Sequence, residues 1–369
     1  MKYYVYCISL LRSLPTDLRL LLLALPVVCL AGIAMASCNV IRIQPVTSST
    51  AAAGRIIFAT VTPGSGGAAA KARDPLRASS SEPGTRFVSG GTNELGKIMV
   101  LEYHRIGKPE QRFQRTPDNF RADLKRLHAG GFYPVNFSDL IDGLPHVPAG
   151  KKPIVLTFDD SDITQFRMLG NNIIDADSAV GILLNFQNQH PTEWPARATF
   201  FVLGNDTAEY VSIFGQPKWA RSKLQFLVEM GMEVGSHTAN HTDLSVATAE
   251  RINWELAVSK RVIEEMAPGY TVRSLSVPYG GYPFSQEFLT EGEWGGFSYR
   301  YSGIAAAWGG PAVSPFDSTF EPYHVPRIEI LSSSIDHWLT YFERNPHEYY
   351  VSDGDPSKIT FPQAEVAAE

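Results

Sequence analysis

After residue 96 the chain alternates short apolar segments with segments of helical periodicity, and this alternation most constrains the fold. Apolar segments such as 154–158 and 198–202 are nearly continuous, which is typical of strands buried on both faces. The segment 117–129 follows a Thr-Pro start, spaces its apolar residues as a helix does and ends at a Gly-Gly pair. This order predicts an α/β fold in which helices cover a parallel sheet.

Polar side chains follow several of the predicted strands directly. In a β/α barrel such positions share one rim, and that rim is where chemistry is done. The residues concerned are His104, Asp159, Asp160, His237 and the Pro-Tyr-Gly turn at 278–280.

The N-terminal segment 1–37 has the features of an export signal. Arg12 and Arg19 precede a charge-free apolar run at 20–36, as in the charged and apolar regions of a secretory signal. Met-Ala-Ser-Cys resembles a bacterial lipobox and would lipidate Cys38, whereas Ala-Met-Ala at 34–36 would serve as a plain cleavage site. An uncleaved single span is the third alternative, since the run is near the short limit for crossing a bilayer. We therefore expect an exported protein of the cell envelope, membrane-anchored or secreted.

The composition of the rest of the chain indicates three regions: a tether, a folded domain and a tail. Segment 38–95 is rich in Ala, Gly, Ser, Thr and Pro and is predicted to be a disordered tether, because it cannot bury enough apolar surface to offset its chain entropy. The folded domain is predicted at 96–351, and 352–369 resembles a polar, acidic tail. Segment 161–197, between two predicted strands, is longer than a plain crossover needs. It is interpreted as an elaborated loop and helix near the rim.

Charge and cysteine content limit the classes of partner and the residue types that can bind a metal. The net charge of −6 provides no basic footprint, which argues against a nucleic-acid partner. All three cysteines lie within the first 38 residues, so a metal site in the folded domain must use His, Asp or Glu. The oligomeric state is left open.

Asp159-Asp160 and His237-x-x-x-His241 together predict a metal site. A lone Asp pair is more often a solvated turn or a helix cap, and a lone His pair is often one packed and one exposed side chain. Two imidazoles four residues apart can nevertheless reach one ion from a helical turn. Two imidazoles and one carboxylate suit Zn²⁺, with Co²⁺ or Ni²⁺ as alternatives.

The turn at 278–280 adds a candidate oxyanion donor. Pro278 has no N–H, so the next backbone donor at this corner is that of Tyr279. As an isolated pattern the turn is weak, since Pro and Gly mark any turn.

Thr-Phe-Asp-Asp, Ser-His-Thr-x-x-His and Pro-Tyr-Gly, in this order, resemble the first three motifs of the NodB-homology polysaccharide deacetylases, carbohydrate esterase family 4. The resemblance covers about 97–330. Tyr-His-Arg-Ile at 103–106 and Val-Pro-Arg-Ile at 325–328 further resemble the membrane-associated, biofilm-polysaccharide branch of that family.

The resemblance implies a distorted (β/α) barrel and metal-dependent hydrolysis of N-acetyl groups on an N-acetylglucosamine-containing polysaccharide. It implies Asp159 as the general base and the backbone N–H of Tyr279 as an oxyanion donor. The implied metal ligands are Asp160, His237 and His241.

The sequence departs from the family pattern at two positions. Ser276 stands where the family has an arginine that orients the catalytic carboxylate, and we hypothesise that Arg327 replaces it; an unrelated salt bridge is the alternative. The family's late Leu-His, which supplies the general acid, is absent, so His324 and His104 are the candidates, each against a structural histidine. These departures leave open two other functions, an O-acetyl polysaccharide esterase and a weakly active or inactive glycan-binding lipoprotein.

Overall fold

The computed structural model describes residues 84–87, 91–205, 213–331 and 333–362, and every structural statement below concerns these residues. The predicted signal segment, Cys38 and most of the predicted tether lie outside them. In the described part of the chain, no helix has the length and apolar character needed to cross a bilayer.

The described strands are numbered in chain order. They are β1 Gly84–Phe87, β2 Met99–Tyr103, β3 Arg105–Ile106, β4 Gln114–Arg115, β5 Phe132–Val135, β6 Lys152–Phe158, β7 Met168–Leu169, β8 Ile173–Ile174, β9 Thr199–Val202, β10 Glu233–Ser236, β11 Ser274–Ser276, β12 Glu291–Trp294, β13 Phe297–Arg300, β14 Gly303–Ala305, β15 Ile328–Glu329 and β16 Lys358–Phe361.

The described helices pack around these strands. They are α1 Pro117–Ala129, α2 Phe137–Ile141, α3 Ala179–Gln189, α4 Ala220–Glu229, α5 Ala249–Met266, α6 Glu287–Thr290 and α7 Ser334–Arg344. Their starts follow local chemistry: the Thr116 hydroxyl accepts a hydrogen bond from the Asn119 N–H at the start of α1, as the Thr-Pro start predicts. Thr248 caps α5 in the same way.

An all-parallel sheet forms the centre of the fold, in the order β14, β11, β10, β9, β6, β2, β15, with β5 also paired to β6. Its strands are apolar and buried on both faces, as β2 and β6 show. Ala305, at the end of β14, forms a parallel bridge with Val325, just before β15. The two edges of the sheet are thereby joined, and the sheet curls into the distorted NodB-type barrel that the sequence predicts.

The boundaries of the folded domain differ from the prediction. Strand β1 lies inside the predicted tether and pairs in parallel with β16, which lies inside the predicted tail. Glu94 is buried beside this pair and accepts hydrogen bonds from the backbone N–H groups of Asp353 and Thr360. The predicted tail is thus partly folded, because its backbone satisfies a buried carboxylate that composition does not reveal.

Segment 161–197 contributes to the fold as well as to the rim. Its helix α3 buries most of its residues, so it is a packed crossover helix between β6 and β9. Only the start of the segment approaches the strand ends: Asp162 lines the cleft described below. The interpretation as a rim element therefore holds for the first residues and is corrected for the helix.

Candidate active site

A cleft of about 520 Å³ opens at the carboxyl ends of the central strands. It collects most of the predicted site residues at one rim, as the parallel topology requires. Its lining consists of Glu102, His104, Arg105, Arg112, Phe113, Asp159, Asp160, Asp162, Leu203, His237, His241, Val277, Tyr279, Ala307, Trp308 and Glu329.

Asp159 follows the end of β6 and is 1% exposed. Its two carboxylate oxygens accept hydrogen bonds from the two terminal nitrogens of Arg327, Oδ1 at 2.8 Å and Oδ2 at 2.7 Å. This is the bidentate geometry that gives arginine–carboxylate pairs their directional strength. The hypothesised contact from the Pro-Arg-Ile segment is therefore present, while the catalytic role of Asp159 remains a prediction.

Ser276 occupies the corner that the family gives to arginine. Its hydroxyl donates to Asp159 Oδ2 at 2.8 Å and lies 2.8 Å from a terminal nitrogen of Arg327. A short side chain here leaves room for the guanidinium that arrives from β15. Ser276 and Arg327 thus bind the carboxylate of Asp159 together, and the small serine makes room for the guanidinium.

The electrostatics of this group keep the base candidate ionised. Burial alone would raise the pKa of Asp159, but the Arg327 guanidinium together with the nearby His237 and His104 outweighs burial and holds that pKa well below its usual value. Arg327 also donates to the Ala306 carbonyl and to Thr157, so its own donors are satisfied although it is fully buried. A charged carboxylate is thereby held ready inside a dry site.

Glu102 was missed in the sequence. It is 5% exposed on β2, lies 3.1 Å from Arg327 and 3.8 Å from His104, and burial raises its pKa to about 8 despite the guanidinium. The only signal for it was a charged residue inside an otherwise apolar strand. It supplies a second carboxyl group to the arginine, through the same terminal nitrogen that contacts Ser276.

Asp160, His237 and His241 converge as a candidate metal centre. Asp160 Oδ1 lies 3.4 Å from His237 Nε2 and 3.2 Å from His241 Nε2. That oxygen is buried and forms no hydrogen bond in the described structure, which is the situation of a ligand atom prepared for a cation. The donor set of two imidazoles and one carboxylate fits a divalent ion such as Zn²⁺.

The rings are oriented by their other contacts. His237 Nδ1 lies 2.9 Å from the Ser276 carbonyl, which can only accept, so Nδ1 carries the proton and Nε2 faces Asp160. His241 packs edge-on against Tyr279 at 4.5 Å between ring centroids. Burial would lower the pKa of His237, yet Asp159 and Asp160 outweigh burial and raise it.

Strained backbone marks the same rim. Several non-glycine residues there lie in the left-handed region, which L-residues rarely adopt without compensation from their surroundings. They are Asp160 (φ 76), Ser161 (φ 47), Thr238 (φ 66), His241 (φ 54) and Tyr279 (φ 57). The chain therefore accepts local strain in order to aim these groups into the cleft.

The candidate general acids separate in space. His104 lines the cleft, packs against Phe113 at 4.8 Å, and has its pKa lowered by burial. His324 is exposed, stacks on Tyr282 at 4.5 Å, and is absent from the cleft lining. Geometry therefore favours His104 over His324, while the role itself remains a prediction.

The aromatic side chains of the later segments differ in exposure. Tyr299 and Tyr301 are buried, so they cannot stack on a ligand. Trp308 is 63% exposed and lines the cleft with Phe113, on which the Arg112 guanidinium lies at 4.6 Å. Phe113 and Arg112 had no sequence signal, because they come from the loop between β3 and β4 rather than from a strand end.

The curled parallel sheet and the carboxylates and histidines at its strand ends define a β/α-barrel protein with a polar cleft. Residues 146–291 match the model of the family described as polysaccharide deacetylase. Over this segment the match confirms the resemblance to the polysaccharide deacetylases that the motifs predict.

Individual relatives agree with this assignment. Protein YxkH of Bacillus subtilis (strain 168), which is named as a polysaccharide deacetylase, is 25% identical over 213 residues, or 56% of this chain and 64% of YxkH. This chain thus spans slightly less than two thirds of that relative.

Two solved structures are similar to this chain over part of its length. BA0330 of Bacillus anthracis, also named as a polysaccharide deacetylase, is 22% identical with a TM-score of 0.49, covering 66% of this chain and 68% of its own. IcaB from Ammonifex degensii is 20% identical with a TM-score of 0.48, covering 67% and 97% respectively.

Proposed function

We propose that the protein hydrolyses N-acetyl groups on an N-acetylglucosamine-containing polysaccharide. The observation that carries the proposal is the pairing of a buried, arginine-held carboxylate with the Asp160, His237 and His241 cluster at one rim. An amide resists water at neutral pH, so its hydrolysis needs a base for water, stabilisation of the oxyanion and a proton for the leaving amine. The cleft offers a candidate for each need.

Asp159 is the base in this scheme. Because Arg327 keeps it ionised, the carboxylate can take the proton of the attacking water at neutral pH. Both of its oxygens are held by Arg327, and Ser276 holds one of them again. The carboxylate therefore has a fixed orientation towards the cleft.

The ligand cluster suits a divalent cation. Asp160, His237 and His241 would hold it, and when bound it supplies Lewis-acid polarisation of the acetyl carbonyl. The backbone N–H of Tyr279, a residue that lines the cleft beside His241, would donate to the oxyanion.

His104 is the proposed proton donor for the leaving amine. It lies in the cleft beside Glu102 at 3.8 Å, so a proton on its ring has a carboxyl partner. Burial lowers its pKa, so the ring is mainly neutral at rest, and a proton that it takes up during the reaction passes readily to the more basic leaving amine.

The polymer and its location belong to the same proposal. The acidic chain has no basic footprint for an anionic polymer, and Trp308 and Phe113 offer exposed ring faces to a neutral sugar chain. The apolar run at 20–36, with Cys38 after it, supports an exported, envelope-anchored protein, and the segments 103–106 and 325–328 support the biofilm-polysaccharide branch.

Acetate release tests the activity. The purified full-length protein, loaded with Zn²⁺, is expected to release acetate from N-acetylglucosamine oligomers, and Asp159→Asn is expected to lose this release by on the order of 10²-fold or more. Asp162→Asn, a carboxylate of the same cleft without the Arg327 contact, is the matched control. Zinc binding without acetate release would indicate a glycan-binding protein, and release only from O-acetylated xylan would indicate an esterase; either would refute the proposal.

A further inference from the structure

A separate group of metal-binding side chains lies between two helices. His128 Nε2 is 2.8 Å from Glu193 Oε2, and the rings of His128 and His190 are 4.1 Å apart. One nitrogen from each histidine and one oxygen of Glu193 all lie within 4.8 Å of one another. Neither the family assignment nor the proposed activity uses these residues.

Local structure brings the three side chains together. His128 stands in the last turn of α1, and His190 ends α3. The N–H groups of Glu193 and Trp194 both donate to the His190 carbonyl, which closes a tight turn and returns Glu193 beside His190. Sixty-five positions separate His128 from Glu193, so the group joins distant parts of the chain.

A buried aromatic floor holds the two imidazoles. Trp194 is 0% exposed and meets the His128 ring edge-on at 6.0 Å. Phe186 is 5% exposed and lies 4.6 Å from the His190 ring and 5.9 Å from the His128 ring. Ring positions fixed in this way reduce the entropy that binding an ion would cost.

An ion pair alone does not account for the group. It explains the contact between His128 and Glu193, yet the His190 ring forms no hydrogen bond within residues 91–205 and the other described ranges. His190 instead stacks on the ring of His128, where a second nitrogen donor is available to an ion. Two imidazoles and a carboxylate with an open position form a borderline-soft donor set.

The group lies away from the cleft. The last turn of α1 leads into β5 and the end of α3 leads towards β9, so both helix ends lie where parallel strands begin. The cleft residues follow the opposite ends of the strands. An ion held here would have no access to the reacting groups.

We propose that His128, His190 and Glu193 form a structural site for a divalent transition metal, with zinc as the probe, that fastens the end of α1 to the turn after α3. Tetrahedral zinc with ligand distances near 2.1 Å places its ligand atoms about 3.4 Å apart. The present separations therefore need only small side-chain rotations. Because metal binding favours the folded state, the site raises thermal stability without changing the reaction.

Zinc titration of the full-length protein tests the site. Metal-free protein is titrated with Zn²⁺ alone, and bound zinc and Tm are measured in wild type and in His237→Ala/His241→Ala, which lacks the cleft histidines. We expect two zinc ions per wild-type chain and one in the double variant, which retains a zinc-dependent rise in Tm. Adding His190→Ala to the double variant is expected to abolish the binding of this remaining zinc ion and the zinc-dependent rise in Tm.

Control variants separate this site from adventitious binding. His146→Ala removes an exposed histidine outside the group and is expected to leave zinc binding and Tm unchanged. Should the double variant fold poorly, His190→Ala alone is expected to lose one of two zinc ions while acetate release is retained. Two zinc ions bound to His190→Ala, one zinc ion bound to the variant that combines all three substitutions, or a double variant whose Tm does not change with zinc would overturn the site, whatever the outcome for the proposed activity.

Discussion

At the scale of single residues, Arg327 connects the strands that form the active site. It is fully buried and contacts Asp159, Glu102 and Ser276, which come from three other strands. Burying such charges is costly, and the cost is offset here because each donor of the guanidinium finds an acceptor. Removing one partner would leave uncompensated charge inside the barrel.

Arg327→Ala is therefore expected to destabilise the fold by about 3–5 kcal/mol. It is also expected to lower kcat on the order of 10²-fold, because Asp159 loses its orientation. Chemical denaturation and acetate release measure the two effects. Arg112→Ala removes an exposed ion pair with Glu329 and is expected to cost about 1 kcal/mol or less.

Returning the arginine to its family position gives a sharper test of the same arrangement. In the double variant Arg327→Ala with Ser276→Arg, a guanidinium again starts beside Asp159. We expect partial recovery of kcat with little recovery of stability, since a side chain at position 276 starts beside Asp159, whereas Glu102 loses the contact it has with Arg327. If Arg327→Ala alone kept full activity, the positioning role would be disproved.

The buried amine of Lys223, which lies outside the cleft, is expected to make the free energy of unfolding depend on pH. It is 0% exposed, donates to Phe214 and Gln216, and burial lowers its pKa from 10.5 to about 7. Between these pH values the unfolded chain keeps a proton that the folded chain releases, so the free energy of unfolding rises with pH.

Lys223→Met should remove that rise, measured by urea unfolding at several pH values across the window. Lys125, exposed on α1, provides the control: Lys125→Met is expected to keep the wild-type slope. An unchanged slope in Lys223→Met would contradict the assignment of the titration to this amine.

At the scale of elements, the 3₁₀ turn Pro278–Gly280 shapes the cleft through its glycine. Gly280 has φ 65, and a Cβ there would lie 2.8 Å from the Trp308 ring. The turn thus needs glycine both for its backbone and for the close approach of an exposed aromatic ring.

Gly280→Ala is expected to displace Trp308 and to raise KM for oligosaccharides more than it lowers kcat. Gly269→Ala is the matched control, because Gly269 has φ 86 but no atom within 4 Å of an added Cβ. Both variants are expected to lose about 1 kcal/mol of stability from backbone strain. If KM rose equally in the two variants, displacement of Trp308 would be excluded as the cause of the rise in KM.

Sequence predicts the regular elements of this fold better than the elements that surround the cleft. The helices α1 and α5 follow periodicity and capping, and strands such as β6 and β9 follow continuous apolar segments; both signals are local. Helix α3 was not separated from its loop, because it is buried on nearly all sides and has no clear polar face. The loop that carries Arg112 and Phe113 has no periodicity.

At the scale of the whole molecule, the two ends of the described chain meet. β1 pairs with β16, and Glu94 accepts from Tyr350, Asp353 and Thr360 around that pair. Burial raises the pKa of Glu94, and these donors partly oppose the rise. The last described strand therefore contributes to stability.

Deleting residues 353–369 is expected to lower the free energy of unfolding by at least about 1–3 kcal/mol, since Glu94 loses hydrogen-bond donors in a buried position. Deleting only 363–369 leaves every one of these contacts and is expected to change little. Thermal unfolding of the two truncations measures the difference; equal Tm values would mean that the strand pair contributes nothing.

The candidate site was predictable where motifs place residues at strand ends, and less so where contacts join distant segments. Asp159, Asp160, His237 and His241 are brought together as expected because parallel strands end at one rim. The partnership of Arg327 with Glu102 spans 225 positions and depends on barrel closure, which no local pattern encodes. The choice between His104 and His324 likewise required the structure, because only the structure shows which of the two histidines lines the cleft.

The long separation between Asp159 and Arg327 also has a consequence in time. A ribosome makes Asp159 first and reaches Arg327 only 168 residues later. Until then a growing chain holds the carboxylate, the histidines and Ser276 without their guanidinium. The buried carboxylate of Asp159 therefore gains its guanidinium partner only when the later segments of the chain have been synthesised and have folded into place.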